Sequence, residues 1–372
     1  NPAGQAQISI VVPLYNTPLD FLEELLDSVV NQTYRNWELC CVDAGTARVG
    51  EMVQQRAAVD PRIRYRKLEK NELIPGNTNK GIEMAAGDFI ALLDHDDILH
   101  PCALWYAAKA IAEQGADFVY TDEATLGKVE NVVLYHFKPD FMLDNLRSNN
   151  YICHLTLFSR RLMDAAGGPE RMEYNGSQDY ELFLRLTETP EQLVQASPRL
   201  YTAFQPGSTA SDISAKTYSI DAGIAALKLI TPLGVAVDDV SLIPGTPGYY
   251  KTDYTIDHPG RVSILIPTCD HIRDLETCVE SIYARTTYPD LDILIENNSK
   301  APETFRTYQR MQKEHPDNLK VVTGGKGFNY SALNNFGEKF ATGEYLLLLN
   351  NDTEVITAAW LEEMVMYAQQ KR

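Results

Sequence analysis

The stretch Ile8-Ser-Ile-Val-Val-Pro-Leu-Tyr-Asn16 recurs later in the chain as Val262-Ser-Ile-Leu-Ile-Pro-Thr-Cys-Asp270. Each copy is a run of apolar, mostly β-branched residues that a proline interrupts, as expected of a buried strand in a parallel sheet. An amphipathic helix is predicted after each copy, because apolar residues follow at three-and-four spacing. In the first copy these residues are Leu22, Leu25, Leu26 and Val29.

The similarity between the two copies continues beyond the first helix. A second apolar strand is predicted at 38–43 and at 291–296, and a third apolar stretch at 86–94 is similar to 342–350. Alternating strands and helices, with strands that are apolar throughout, indicate an α/β fold with a mostly parallel sheet flanked by helices in each copy.

The domain boundaries follow from the lengths of the two repeats. The first repeat continues for about 150 residues after its third strand, whereas the second has only about twenty left. A segment rich in Pro and Gly separates them and is typical of a linker. We therefore predict a complete domain over 1–245, a linker over 246–260 and the N-terminal half of a second domain over 261–372. We also expect this chain to be a fragment of a longer protein, because it begins without Met and its last helix has no natural stop.

The composition excludes several classes of protein. The chain has 372 residues, of which 44% are hydrophobic, so it can bury a core in each of two domains. Its net charge of −18 makes nucleic acid an unlikely partner, although a divalent cation could still allow an anionic small substrate. The six cysteines form no C-x-x-C pair and are typical of reduced thiols in a cytoplasmic protein. No apolar stretch approaches the ~18 residues that span a bilayer.

Acidic residues follow two of the predicted strands. The sequence Asp94-His95-Asp96-Asp97 comes directly after one strand, and Asp43 ends another. The carboxyl ends of parallel strands share one edge of the sheet, where ligands bind. Clustered carboxylates repel one another unless a hard cation such as Mg²⁺ or Mn²⁺ neutralises them, usually together with substrate phosphates. The alternative is a solvated acidic turn in which Asp97 begins the next helix.

These segments, in this order, resemble the family 2 glycosyltransferases with a GT-A fold, of the type that builds bacterial O-antigen and related surface polysaccharides. The resemblance covers nearly all of residues 8–245, and the second repeat resembles the N-terminal half of another such domain. The motifs that carry it are Pro13-Leu-Tyr-Asn16, Val42-Asp43, Asn77-Thr-Asn79, Gly87-Asp-Phe-Ile90, Asp94-His-Asp-Asp97 and Gly176-Ser-Gln-Asp-Tyr180.

The resemblance implies a role for each matching residue. Asp179 would be the general base of an inverting transfer, and Asp96 would bind the metal, Mn²⁺ or Mg²⁺. The implied nucleotide-sugar site comprises Pro13, Tyr15, Asp43, Asn79 and Asp94. The implied partners are a nucleotide-sugar donor and a glycan or lipid-linked glycan acceptor. The implied location is the cytoplasm, with peripheral association at the inner face of the membrane, through regions outside this chain, as an open alternative.

The chain also departs from the pattern of that family. Ala44 stands where many relatives have a second Asp, and Thr78 stands where many have Arg. The segment 201–209 lacks the His-Trp-Arg stretch of many relatives, and the second repeat keeps only Asp352 of the acidic pair. These departures favour the alternative of a non-catalytic nucleotide-sugar or glycan-binding scaffold. A nucleotidyltransferase is a weaker alternative, because it would need a glycine-rich, basic loop after the first strand.

Overall fold

The chain folds into two compact units. The first comprises Asn1–Pro232 with Val237–Thr252, and the second comprises Leu233–Ala236 with Asp253–Arg372. The segment predicted as a linker, 246–260, contains a strand at Tyr250–Tyr254. The structure is a computed structural model, and the residues that it describes are 6–45, 47–126, 133–188, 193–195, 202–204, 217–229, 236–324 and 329–370.

The first unit alternates strands and helices along most of its length. Its strands are β1 (Ile8–Leu14), β2 (Trp37–Asp43), β3 (Ile63–Lys67), β4 (Phe89–Leu92), β5 (Asp97–Leu99), β6 (Phe118–Tyr120), β7 (Glu123–Leu126), β8 (Val133–His136), β9 (Thr156–Ser159), β10 (Leu193–Gln195), β11 (Thr202–Phe204) and β12 (Val237–Leu242). The next strand, β13 (Tyr250–Tyr254), begins in the first unit and ends in the second. Its helices are α1 (Leu19–Val30), α2 (Ala47–Val59), α3 (Leu73–Met84), α4 (Ala103–Gln114), α5 (Leu143–Ser148), α6 (Arg160–Ala165), α7 (Gln178–Glu188) and α8 (Thr217–Leu229).

The main sheet of the first unit has seven strands in the order β10-β6-β9-β4-β1-β2-β3. Its strands run parallel except β9, which is antiparallel to β4 and β6. Successive side chains of β1 face opposite sides of the sheet, so Val12 packs with α1, α2 and α4 on one side and Val11 with α3, α6 and α7 on the other. The predicted α/β class, with a mostly parallel sheet between helices, is therefore confirmed.

A smaller sheet in the order β5-β11-β7-β8 lies in the same unit, and β12 and β13 form a two-stranded sheet. The acidic sequence after β4 leads directly into this smaller sheet, because β5 begins at Asp97. The alternative in which Asp97 begins a helix is therefore wrong, since α4 starts only at Ala103.

The second unit contains a parallel four-stranded sheet in the order β16-β15-β14-β17. This order matches β3-β2-β1-β4 of the first unit. Its strands and helices are β14 (Val262–Thr268), β15 (Leu291–Asn297), β16 (Leu319–Thr323), β17 (Tyr345–Leu348), α9 (Ile272–Arg285), α10 (Pro302–Glu314), α11 (Tyr330–Gly337) and α12 (Trp360–Ala368).

The strand register shows which residues of the two units correspond. Asp43 lies opposite Leu14 in the first unit, and Asn297 lies opposite Thr268 in the second. The second strand of the second repeat therefore ends one residue later than the predicted 291–296, and the counterpart of Asp43 is Asn297.

All six cysteines are free thiols, and none of the helices that the structure describes has both the length and the apolar character needed to cross a bilayer.

Candidate functional site

A cavity of about 390 Å³ lies in the first unit, beyond the carboxyl ends of β1 and β4. Its size is within the range of small-molecule binding sites. Three of the predicted site residues line it, namely Pro13, Asp94 and Asp179. The cavity wall also includes His136, Asn150, His154, Glu170 and Tyr249.

Asp94 follows β4 and forms an ion pair with His154, and both residues line the cavity. The Nε2 atom of His154 lies 3.3 Å from Oδ2 of Asp94, and the Asp94 side chain is half exposed whereas the imidazole is mostly buried. Burial by itself would lower the pKa of His154, but the neighbouring Cys153 and the Asp94 carboxylate outweigh it and hold that pKa well above the ordinary histidine value. The pair therefore joins a protonated imidazole to the carboxylate of Asp94, a predicted nucleotide-sugar residue, and its two charges balance each other.

A buried lysine holds the backbone that carries His154. Lys138 has a fully buried side chain, and its Nζ donates hydrogen bonds to the carbonyl oxygens of Ile152, at 2.5 Å, and His154, at 2.8 Å. Glu123 balances the charge, with Oε2 lying 3.0 Å from the same Nζ. This network holds the backbone segment that carries the His154 imidazole.

Asp179 lies in the first turn of α7, where the helix dipole favours a carboxylate. Asn150 donates a hydrogen bond from Nδ2 to Oδ2 of Asp179 at 2.9 Å. Burial raises the pKa of Asp179, although the charge of His154 opposes that shift. A partly buried carboxylate with a raised pKa is better suited to accept a proton than one in water.

Asp43 ends β2 but does not line the cavity. Its side chain is fully buried and accepts hydrogen bonds from the Gly45 backbone N–H at 2.7 Å, the Tyr65 hydroxyl at 2.8 Å and Lys67 Nζ at 3.1 Å. Both carboxylate oxygens are therefore engaged within the protein. Its role in binding a nucleotide base stays a prediction.

Asp96 lies two residues beyond Asp94 and is partly buried outside the cavity wall. Burial and the charge of Asp94 raise the pKa of Asp96, as expected of two carboxylates held close together. No group of three or more His, Cys, Asp or Glu side chains is arranged to hold a metal within the part of the chain that the structure describes. The residues nevertheless fit a hard divalent ion, because such ions often use one or two carboxylates and complete their shell with phosphate oxygens and water.

The other two predicted nucleotide-sugar residues have different surroundings. Tyr15 is 51% exposed and lies outside the cavity wall. Asn79 is bound to the backbone of Glu170, accepting its N–H at 3.1 Å and donating to its carbonyl oxygen at 2.8 Å. Asn79 therefore positions a cavity-lining residue and does not itself line the cavity. Of the segment 201–209, which departs from the family pattern, the structure describes only Thr202–Phe204, in β11.

Sequence reasoning missed Glu170 and the hydrogen bond from Asn150 to Asp179. Glu170 follows a Gly-Gly-Pro turn, and the two glycines, Gly167 and Gly168, adopt φ values of +91° and +93°. A glycine pair before a single carboxylate was the one available signal, because such a turn can direct a side chain inward. The sequence contains no comparable signal for the hydrogen bond of Asn150.

Comparison with known proteins identifies the family of this chain. The model of the family described as glycosyl transferase family 2 matches residues 9–162 and again 263–372. The chain is 38% identical to the uncharacterized protein y4gI of Sinorhizobium fredii and 35% identical to the O-antigen biosynthesis protein RfbC of Myxococcus xanthus. Each alignment covers 97% of this chain, which spans only 40% and 28% of the lengths of those relatives.

Among solved structures, the chain resembles S. aureus TarS in complex with UDP-GlcNAc, with a TM-score of 0.48 and 16% sequence identity. The alignment covers 59% of this chain and 66% of that one.

Proposed function

The chain belongs to glycosyl transferase family 2, and from that premise we propose that its first unit transfers a sugar from a nucleotide-sugar to a hydroxyl group of an acceptor, with inversion at the anomeric carbon. The observation that carries this proposal is the single cavity that brings together Asp94, His154 and Asp179. It provides a carboxylate suited to accept a proton, in Asp179, and a protonated imidazole, in His154.

The proposed chemistry is a single displacement. A hydroxyl group is a poor nucleophile until a base takes its proton, and Asp179 accepts that proton as the new bond to the anomeric carbon forms. The bond from that carbon to the diphosphate breaks in the same step, which inverts the configuration. Asn150 orients the Asp179 carboxylate through its hydrogen bond at 2.9 Å, so the free lone pairs can face the acceptor.

The leaving nucleoside diphosphate carries away negative charge, which a cationic environment stabilises. His154 contributes a protonated imidazole to the cavity wall, but its ion pair with Asp94 is neutral overall, so a bound cation would have to supply the net positive charge. Asp96 is the residue that would hold Mn²⁺ or Mg²⁺, and a bound ion of this kind supplies Lewis acidity for the departing diphosphate.

The proposed acceptor is a growing polysaccharide or its lipid-linked precursor. This choice rests on the similarity to the O-antigen biosynthesis protein of Myxococcus xanthus, of which this chain spans 28%. The full range of substrates and the membrane association of a longer protein are part of the proposal. The proposed location is the cytoplasm, where nucleotide-sugars are made.

The first test is thermal unfolding with UDP, GDP and dTDP, each with and without Mn²⁺. We expect one nucleotide to raise the melting temperature in the presence of Mn²⁺. At a hundredfold excess over Kd, binding adds ~2.7 kcal/mol to the free energy of unfolding. The gain should be lost in Asp96→Ala and kept in the matched variant Asp352→Ala of the second unit. If no nucleotide shifts the wild-type transition, the proposal is wrong.

The alternative function is a nucleotide-sugar or glycan-binding scaffold without turnover. The departures at Ala44 and Thr78 favour it, because they replace an acidic and a basic side chain that many relatives have. Release of nucleoside diphosphate from the nucleotide-sugar that binds best separates the two functions. Turnover by the wild type supports the transferase, and binding without turnover in the presence of acceptor glycans supports the scaffold.

A further inference from the structure

Glu170 is a buried carboxyl group that the proposed transfer chemistry does not use. Only 5% of the residue is exposed, and it lines the same cavity as Asp94 and Asp179. Its Oε2 atom is buried and has no hydrogen-bond partner among the described residues, and Thr78 lies beside it in the same cavity wall. A buried carboxyl oxygen without a partner is costly, so its presence in the cavity wall indicates a ligand that supplies the missing donor.

The backbone that carries Glu170 is held rigidly. The Asn79 side chain binds both the N–H and the carbonyl oxygen of Glu170. The buried guanidinium of Arg185 donates hydrogen bonds to three carbonyl oxygens of the turn that precedes Glu170. These belong to Ala166, Gly168 and Pro169, at 2.8, 2.8 and 2.9 Å.

Arg185 is itself fixed by a bidentate contact with Glu181, at 2.7 and 2.9 Å, one turn earlier on α7. Asp179 lies on the same helix, α7. Arg185 therefore connects the turn that precedes Glu170 to the helix that carries the proposed base. A carboxyl group held this firmly is preorganised for a ligand, because little freedom is lost on binding.

The charges around Glu170 restrict the kind of ligand. Burial, followed by the charges of Asp179 and Asp94, raises the pKa of Glu170 well above the ordinary glutamate value. An anionic group such as a phosphate would be repelled from this wall. No cluster of metal-binding side chains includes Glu170 among the described residues. A neutral ligand rich in hydroxyl donors fits best, because a carboxyl group accepts their hydrogen bonds whether or not it is ionised.

We propose that Glu170 is a specificity-determining residue that accepts hydrogen bonds from sugar hydroxyl groups bound in the cavity. This inference rests on the proposed function and deepens it, because it assigns the sugar, as distinct from the nucleotide, to the wall formed by Glu170 and Thr78. The hydroxyl groups belong either to the donor sugar or to the acceptor sugar, and the experiment has one arm for each.

The variants are Glu170→Leu, which removes the polar group at similar volume, and Glu170→Gln, which keeps an acceptor oxygen. Glu173→Gln is the matched control, because Glu173 is exposed on the turn that follows. Without ligand, Glu170→Leu should melt a few degrees higher than wild type, because an unpartnered buried carboxyl group is removed.

The donor arm compares the best-binding nucleoside diphosphate with its nucleotide-sugar, in the presence of Mn²⁺. In wild type and Glu173→Gln, the sugar should add affinity beyond that of the nucleotide. In Glu170→Leu the affinity for the free nucleotide should be unchanged, while that for the nucleotide-sugar falls about 10- to 100-fold, with a smaller loss in Glu170→Gln. The acceptor arm measures binding of free hexoses and N-acetylhexosamines in the presence of nucleotide and Mn²⁺.

If Glu170→Leu loses affinity for the nucleotide-sugar, Glu170 binds the donor sugar. If it loses affinity only for the free sugars, Glu170 binds the acceptor sugar. Either result supports the inference. If Glu170→Leu keeps the full sugar-dependent gain in both arms, the inference is overturned while the proposed function stands. If the wild type binds no nucleotide or nucleotide-sugar, the proposed function fails, and this inference fails with it.

Discussion

The two units share a sheet order but differ at the end of their second strand. In both, the last residue of that strand accepts a hydrogen bond from the backbone N–H two residues on, at 2.7 Å in Asp43 and 2.8 Å in Asn297. In both, a tyrosine hydroxyl donates to the same side chain, from Tyr65 in the first unit and Tyr308 in the second. Both strand ends therefore bind a tyrosine hydroxyl and the backbone N–H two residues on, although Tyr65 lies in β3 and Tyr308 in α10, and the side chain changes from a carboxylate to an amide.

The residue on the neighbouring strand changes together with it. Lys67 lies opposite Asp43 and forms an ion pair with it, whereas Thr323 lies opposite Asn297 and accepts a hydrogen bond from its amide at 3.2 Å. A neutral pair is thus sufficient to hold this strand end. The charge of Asp43 in the first unit is not needed for the fold, which makes it a candidate for a role in binding.

A second difference lies one residue earlier in the strand. Val42 is apolar and fully buried, whereas its counterpart Glu296 is fully buried with neither carboxylate oxygen in a hydrogen bond to a side chain. Burial raises the pKa of Glu296 to about 7, although the backbone N–H of Gly337 opposes that shift. At this strand position the first unit therefore has an apolar side chain, whereas the second unit has a buried carboxyl group.

The largest expected effect is on the proposed base, which has no counterpart among the described residues of the second unit. Asp179→Asn should reduce turnover of a nucleotide-sugar with acceptor by about 10²–10⁴-fold, because the amide cannot accept the hydroxyl proton. Binding of the nucleotide-sugar should be little changed. The exposed Asp140→Asn variant serves as control in the same assay, and equal turnover by both variants would show that Asp179 is not the base.

The next prediction concerns a carboxylate placed in the second unit at Asn297, the counterpart of Asp43. Asn297→Asp should destabilise the chain by about 1–3 kcal/mol at neutral pH, because it buries a carboxylate opposite Thr323, where no lysine is available. Adding Thr323→Lys should recover most of that loss by restoring the pair of the first unit. Urea unfolding of the full chain measures both changes. A double variant no more stable than the single one would refute the correspondence between the units.

The reciprocal change is expected to affect binding more than folding. Asp43→Asn keeps the hydrogen bond from Gly45 and lets Lys67, whose side chain is 44% exposed, turn to solvent. We expect a stability loss of ~1 kcal/mol or less, together with about a tenfold loss of affinity for the best-binding nucleoside diphosphate. Thermal unfolding and calorimetric titration give the two numbers. Unchanged nucleotide affinity would restrict Asp43 to a structural role.

The smallest effect is a gain of stability that depends on pH. The pKa of Glu296 rises from 4.5 to about 7 on folding. Below pH 4.5 this shift costs no stability, and the free energy of unfolding falls as the pH rises from 4.5 through 7. Glu296→Val, which copies Val42, should therefore stabilise the chain by about 1–2 kcal/mol near pH 8, allowing for screening, and by much less near pH 5. Urea unfolding at the two pH values checks this, and a gain that is the same at both would contradict it.

Much of the fold was predictable from the sequence, because buried parallel strands are apolar throughout and their pattern repeats. The one-residue shift between Glu296 and Asn297 was not, because both are polar residues that follow the same apolar run. Only the register of hydrogen bonds between β14 and β15 shows that Asn297 lies at the position of Asp43.

The candidate site was predictable in part. Asp94 and Asp179 were named from the sequence and line one cavity, although their roles stay predictions. The position of Glu170 was not predictable, because it depends on contacts of Asn79 and Arg185 with backbone carbonyl groups, which every residue has. A side chain that binds backbone leaves no pattern in the partner sequence.

Hydrogen exchange of the full chain, with and without the best-binding nucleotide-sugar and Mn²⁺, tests most directly whether the cavity of the first unit is the nucleotide-sugar site. We predict slower exchange at 92–97, 150–154 and 170–179, and no change at 350–352 in the second unit. Slower exchange confined to the second unit, or no change in any of the three segments despite measured binding, would contradict the account.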